Sequence, residues 1–333
     1  MKKIRVAING FGRIGRHVCK IALDNKHIEV VAINDLADNK TLAHLLTYDT
    51  AYPTYTKKVS SDDKHVIVGS KKILSFSEQQ PKNLPWKKLD IDVVLECTGI
   101  FRSREDASMH IKAGAKHVII SAPAKGDDIV AYVRGVNCDS ASKRDDIVDN
   151  ASCTTNCTAP VMMVLQKEFG VQKAMLTTVH SYTADQRLLD APHKDLRRAR
   201  AAAQNIIPTS TGAAGATAKV IPTLANSFDG IAIRVPTLSG SLIDITALLD
   251  KDTTVEKINA AFKKAAKKEL KGILDITDIP LVSSDFIGNP HSAIVDAEFT
   301  KVVGGNLVKV LAWYDNEWGY ANRLVEMVQK VTR

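Results

Sequence analysis

Residues 4–23 read IRVAINGFGRIGRHVCKIAL: a β-branched run, three glycines spaced G-x-G-x-x-G, and an amphipathic run. A strand that turns on such a triad straight into a helix is the opening of a dinucleotide-binding βαβ unit. Gly10 permits the tight turn, Gly12 lets the backbone approach a pyrophosphate, and Gly15 lets helix and strand pack closely. The backbone amides of Arg13 and Ile14 then face an anion at the helix start. The next strand ends in INDLAD, which places Asp35 to accept hydrogen bonds from an adenosine ribose. Further apolar runs, IEVVAI, IDVVLE and HVII, alternate with helical ones, as in a parallel sheet covered on both faces. These features predict an α/β fold with an N-terminal Rossmann dinucleotide-binding domain.

After Cys153 the texture changes to longer strands, KAMLTTVH, IAIRVP and SLIDITALL, with a helix from about Thr254 to Leu270. That pattern predicts an α+β second domain with a mixed or antiparallel sheet, and 333 residues exceed a comfortable single core. No repeat or low-complexity linker separates the two. The basic run AFKKAAKKELKG reads as the solvated face of a surface helix, not a nucleic-acid patch. A formal charge of +8 suits anionic ligands of any kind. No apolar run approaches the roughly 18 residues of a membrane span, and Arg5 and Asn9 interrupt any signal-peptide core. Five cysteines at irregular spacing fit individual thiols in a reducing compartment, so a cytoplasmic protein is expected.

Each thiol therefore needs its own account. In NASCTTNCTAP, Cys153 lies at an expected helix start, with Ser152 as its cap, where unpaired amides and the macrodipole favour a thiolate. Pro160 either kinks that helix or marks a later beginning. Cys157 is one turn further and packs beneath Cys153, while Cys19, Cys97 and Cys138 read as buried small apolar residues. His180 closes the strand AMLTTVH before a polar loop. Beside a cysteine at a helix start and a dinucleotide site, it is the leading base. His110, His193 and His291 have no comparable company.

SCTTNC, HSYTADQ, IIPTSTGAA, RVPT and WYDNEWGYANR occur in this order. With these motifs the chain resembles the phosphorylating, bacterial-type glyceraldehyde-3-phosphate dehydrogenase family over essentially its whole length. The resemblance implies an NAD-binding Rossmann domain over residues 1–151, completed by a C-terminal helix over 316–333, a catalytic domain over 152–315, and a homotetramer. It implies that Cys153 attacks the aldehyde of glyceraldehyde 3-phosphate, that His180 takes the hydroxyl proton, and that inorganic phosphate releases the resulting thioester as 1,3-bisphosphoglycerate. Thr183, Asp185 and Arg234 match the pocket for the substrate's phosphate. Ser152, Thr154, Arg197, Thr211 and Gly212 match the pocket for the attacking phosphate. Thr98, Gly99 and Ser121 fall on the family's NAD cleft, and Asn316 matches the residue that holds the nicotinamide carboxamide, although it could equally cap the following helix. No metal is expected. Leu238, Ser239 and Gly240 depart from the family's usual Pro-Asn-Val, YDTAYPTY lacks the usual His-Gly, and Ala191 stands where NAD-preferring members carry Leu. Two other readings remain: a dehydrogenase of erythrose 4-phosphate, which ends in hydrolysis, and a dinucleotide-binding protein that works mainly by binding RNA or another macromolecule.

Overall fold

The computed structural model describes residues 2–142 and 144–332. The chain separates into two compact units: Met1–Tyr132 with Cys138–Ala151 and Ala321–Arg333, and Val133–Asn137 with Ser152–Tyr320. The C-terminal segment thus joins the first unit at Ala321, five residues later than the expected 316, and the expected outer limits 1 and 333 lie outside the described residues.

The strands of the first unit are β1 (Ile4–Asn9), β2 (Ile28–Asn34), β3 (Val59–Asp62), β4 (His65–Val68), β5 (Lys71–Phe76), β6 (Val93–Glu96), β7 (His117–Ile120), β8 (Val130–Ala131) and β9 (Ile147–Asp149). They form one sheet in the order β3-β4-β5-β2-β1-β6-β7-β9-β8. From β5 across to β8 every pairing is parallel, and the β3-β4-β5 edge is antiparallel. The helices α1 (Arg13–Asp24), α2 (Asn39–Thr47) and α3 (Arg104–Lys112) follow β1, β2 and β6. The central strands are buried on both faces, β6 and β7 at every position, which is why their sequences show no alternation. Strand order reverses outward from β1, which leaves the carboxyl ends of β1, β2 and β6 as the binding edge.

The second unit carries α4 (Cys153–Phe169), β10 (Val171–Ser181), β11 (Ile207–Ser210), α5 (Ala213–Val220), β12 (Phe228–Val235), β13 (Ser241–Leu249), α6 (Val255–Lys267), β14 (Leu274–Thr277), β15 (Ala293–Val303), β16 (Leu307–Tyr314) and the start of α7 (Trp318–Val331). Its sheet runs β11-β12-β10-β13-β16-β15-β14 and is mixed: β10 pairs β12 in parallel and β13 antiparallel. The nine residues of β13 alternate between buried and half-buried, so one face of the sheet is covered, and α4 packs there. α4 is one continuous helix with Pro160 inside it, which settles the alternative the sequence left open. In α6, Ile258, Phe262 and Ala265 are buried and Lys263, Lys264 and Lys267 are exposed, the ordinary amphipathic surface helix expected of that run.

Candidate active site

At the carboxyl edge of the first sheet, the three glycines meet three different constraints. Gly10 has φ +88°, and a Cβ there would lie 2.7 Å from the Thr98 nitrogen. A Cβ on Gly15 would lie 2.1 Å from the Gly10 carbonyl oxygen, so helix and turn touch as the motif requires. A Cβ on Gly12 would meet nothing within 4 Å, which leaves its backbone open to a ligand. Asp35 is held by two amides: its Oδ2 accepts from Phe11 N at 2.7 Å and its Oδ1 from Ala37 N at 3.1 Å. Thr98 and Gly99 lie in the turn after β6, and Ser121, just past β7, donates its amide to the Glu96 carbonyl. The Arg13 guanidinium turns away to Asp49 at 2.7 Å, so its contribution at this edge is its backbone.

Helix starts divide into two kinds. Asp38, Ser103, Ser152 and Thr254 cap α2, α3, α4 and α6 through their side chains. α1, beginning after Gly12, and α5, beginning after Gly212, have no side-chain cap. These two are the starts that the sequence assigned to a pyrophosphate and to a phosphate, and uncapped amides suit such anions.

In the second unit, the parallel register of β10 and β12 sets His180 directly beside Arg234. His180 is buried, and its Nδ1 donates to the Ser181 carbonyl at 2.6 Å. That bond fixes the tautomer, so the lone pair of Nε2 faces Cys153 Sγ at 3.4 Å. Arg234 Nη1 lies 3.1 Å from His180 Nδ1 and donates to Ser181 O at 3.1 Å and Thr183 Oγ1 at 3.3 Å. Its Nε is buried and, among the described residues, without a hydrogen-bond partner, a donor left over for an anionic ligand.

Burial pushes the Cys153 thiol up, opposed by the charge of Arg234 and by Thr154. Burial and then Arg234 depress His180 to about 3. Both shifts favour a neutral thiol–imidazole pair, so burial opposes the thiolate that the helix start favours. Moving the proton across the gap creates opposite charges whose attraction is about 5 kcal/mol at an effective dielectric near 20. That attraction works against both shifts, and the two groups titrate as one pair. Cys157 is fully buried and burial holds its thiol well above the ordinary value. Cys19 and Cys138 are buried as expected, whereas Cys97, in the turn after β6, is only half-buried.

Among the phosphate residues, Ser152 Oγ is committed to capping α4 through Thr155 N at 3.0 Å. The hydroxyl of Thr154 points inward to Tyr314 Oη at 3.0 Å, which leaves its amide for the site. Thr211 Oγ1 accepts from Ala213 N at 3.2 Å, so the amides that the α5 start offers an anion are those after Ala213. Arg197 is exposed, and its guanidinium reaches the Pro208 carbonyl at 3.4 Å. The neighbouring Arg198 turns the other way, binds Asp185 and Thr209, and is close enough for its charge to depress both His180 and Arg234. Burial works to raise the Asp185 carboxyl, but the hydrogen bond and charge of Arg198 hold it low. Asn316 does not cap α7. Asp315 does, accepting from the amides of Glu317 and Trp318, while Asn316 Oδ1 accepts from Ser241 Oγ at 2.9 Å. Sequence reasoning also missed Tyr314, whose hydroxyl joins Thr154 to Thr178 and whose ring meets His180 edge-on at 6.0 Å.

Comparison with known proteins gives a consistent result. Residues 4–104 match the family model described as glyceraldehyde 3-phosphate dehydrogenase, NAD binding domain, and residues 152–316 match that of the C-terminal domain. A glyceraldehyde-3-phosphate dehydrogenase of Thermotoga maritima is 59% identical over 98% of this chain and 98% of its own. One of Geobacillus stearothermophilus is 54% identical over 97% of each, and glyceraldehyde-3-phosphate dehydrogenase 1 of Bacillus cereus is 53% identical over 98% of each.

Proposed function

Since the chain belongs to the glyceraldehyde-3-phosphate dehydrogenase family, we propose a role for each of its residues in the phosphorylating oxidation of D-glyceraldehyde 3-phosphate with reduction of NAD. The observation that carries the assignment is Cys153 Sγ at 3.4 Å from a His180 whose tautomer is fixed by Ser181. Cys153 gives its proton to His180 and attacks the aldehyde carbon; as the C–S bond forms, His180 returns that proton to the carbonyl oxygen, giving a neutral hemithioacetal. His180 then takes the hydroxyl proton as the hydride departs, and a thioester remains on Cys153. NAD, when bound, supplies the hydride acceptor. A phosphate oxygen attacks the thioester carbonyl, the C–S bond breaks, and 1,3-bisphosphoglycerate leaves with the thiol restored.

The chain offers the donors that two anions need. Arg234 and Thr183, with Arg198 held beside them by Asp185, suit the substrate's phosphate. The amide of Thr154 and the uncapped start of α5 after Thr211 and Gly212 suit the attacking phosphate. The first unit offers NAD the α1 start, Asp35, and the turns at Thr98, Gly99 and Ser121. In the second unit, Ser241 orients the Asn316 side chain, the group suited to a carboxamide. A phosphate-using cluster argues against the erythrose 4-phosphate reading, and an intact thiol–imidazole pair is unnecessary for a protein that works mainly by binding macromolecules.

A cytoplasmic homotetramer completes the proposal. Met175, Ile231, Val303 and Leu307 expose apolar side chains on β10, β12, β15 and β16, a surface suited to burial in an assembly. No helix among the described residues is long and apolar enough to cross a membrane. Mass spectrometry after mixing protein, aldehyde and NAD without inorganic phosphate tests the covalent step. The acyl adduct is expected on the peptide carrying Cys153, and an adduct on another residue would contradict the assignment.

A further inference from the structure

Beneath the binding edge of the first unit lies a polar network that the reaction does not use. Glu96, at the end of β6, is buried, as are Asn9 at the end of β1, Asn34 at the end of β2, His110 on α3, and Trp86. The direction of every bond in it can be read from backbone and indole donors, which cannot reverse. Glu78 N–H donates to Asn34 Oδ1 at 2.9 Å, so Asn34 Nδ2 donates to Asn9 Oδ1 at 2.7 Å. Asn9 Nδ2 must then donate to Glu96 Oε2, at 2.6 Å. Trp86 Nε1–H donates to His110 Nδ1 at 3.0 Å, which puts the ring proton on Nε2, 3.1 Å from the same carboxylate oxygen. Ile100 N–H donates to Thr98 Oγ1 at 3.0 Å, so the Thr98 hydroxyl donates to Glu96 Oε1, which also accepts from Thr98 N at 2.8 Å.

Glu96 is thus surrounded by donors alone and, among the described residues, pairs with no lysine or arginine. A purely structural position would be filled at lower cost by an apolar residue than by a buried acid that has to be satisfied by so many donors. What the carboxylate joins is specific: Asn9 precedes Gly10, Asn34 precedes Asp35, and Thr98 packs against Gly10 so closely that no Cβ fits between them. We propose that Glu96 is a positioning residue for NAD, a buried carboxylate that holds the turns carrying Gly10, Asp35 and Thr98 in one mutual arrangement. The inference rests on the reading that NAD occupies this edge.

The donor directions make the test unusually selective. In Glu96→Gln, an amide nitrogen turned toward Asn9 Nδ2 and His110 Nε2–H makes three donors with no acceptor, and one turned the other way faces the Thr98 N–H donor. Adding Asn9→Asp returns the acceptor: the new carboxylate accepts from the introduced amide, from Asn34, and from His110, whose Nε2 lies 3.5 Å from Asn9 Nδ2. Calorimetric NAD binding is measured for wild type, Glu96→Gln, the double variant and Thr98→Val, with kcat and both KM values. Glu96→Gln is expected to weaken NAD binding about tenfold or more, with kcat at saturating NAD and the KM for aldehyde within about threefold of wild type. The double variant should recover to within about threefold of wild type. Thr98→Val, which removes one donor and keeps the shape, should weaken binding about threefold to tenfold and carries the test if Glu96→Gln does not fold. Unchanged NAD binding in Glu96→Gln or Thr98→Val overturns the proposal, as does equal loss in kcat and aldehyde KM. Failure of the wild type to bind NAD would instead overturn the reading of the edge itself.

Discussion

Replacing Asp35 by glycine should open the enzyme to NADP, and the structure sets the size of the effect. The carboxylate cannot swing aside, because Phe11 N and Ala37 N hold its two oxygens at 2.7 and 3.1 Å. An adenosine 2′-phosphate brings about −1.5 to −2 charges. At roughly 5 Å and an effective dielectric near 20, the repulsion is about 5–7 kcal/mol. Physiological salt, with a Debye length of about 8 Å, roughly halves it to about 3 kcal/mol. That corresponds to a factor of about 150 against NADP. The same substitution removes a charged acceptor from the ribose hydroxyls, which costs NAD about 1.5–3 kcal/mol. The ratio of kcat/KM for NADP over NAD should therefore rise by at least about two orders of magnitude in Asp35→Gly. Ala191 is exposed in the loop after His180, where it leaves space but cannot cancel a charge. Ala191→Leu should lower only the residual NADP activity. Initial rates with both cofactors decide the matter: a wild type that uses NADP as well as NAD, or an unchanged ratio in Asp35→Gly, refutes the electrostatic argument.

Three further outcomes follow from the second unit. Cys153→Ser should lose nearly all activity and Cys157→Ser should keep most of it, since burial leaves the second thiol protonated and inaccessible; equal losses would contradict the assignment of roles. His180→Asn should lower kcat by about 10²–10⁴, the usual worth of a positioned base, and a loss below about tenfold would mean that another group takes the proton. Arg198→Leu should raise the KM for the aldehyde phosphate by about tenfold or more while Arg197→Leu leaves it within about twofold, because only Arg198 is turned toward Asp185. An unchanged aldehyde KM in Arg198→Leu would contradict that assignment, and a raised KM for inorganic phosphate in Arg197→Leu would bear out the sequence-based pocket.

What the sequence made legible was local. The glycine triad, the acid at the end of β2 and the cysteine at a helix start are each written in a few adjacent residues, and each is tied to backbone geometry that those residues impose. Choices between neighbours were not legible. Arg197 and Arg198 are adjacent in a loop, and which one faces the site depends on how β11 lies against β12. Asp315 and Asn316 are both good helix caps, and the bond from Ser241 decides that Asn316 is not used as one. Glu96 and His110 were hidden for a different reason. The apolar run IDVVLE reads as a buried strand, and its final Glu looks like the point where the strand meets water. A glutamate directly before the Cys-Thr-Gly turn, level with Asn9 and Asn34 on adjacent strands, was the available signal, but it becomes one only when the registers are known. The thiol of Cys153 shows the same limit, because a helix start is visible in sequence and burial is not.

The most direct test of the account is the dependence of NADH formation from glyceraldehyde 3-phosphate on inorganic phosphate. If a Cys153 thioester is released by phosphate at the α5 start, phosphate-free buffer should give a burst of at most one NADH per subunit and then almost nothing, and added phosphate should restore steady turnover in a saturable way. Sustained turnover at the same rate without phosphate would contradict the account, since water would then be the acyl acceptor.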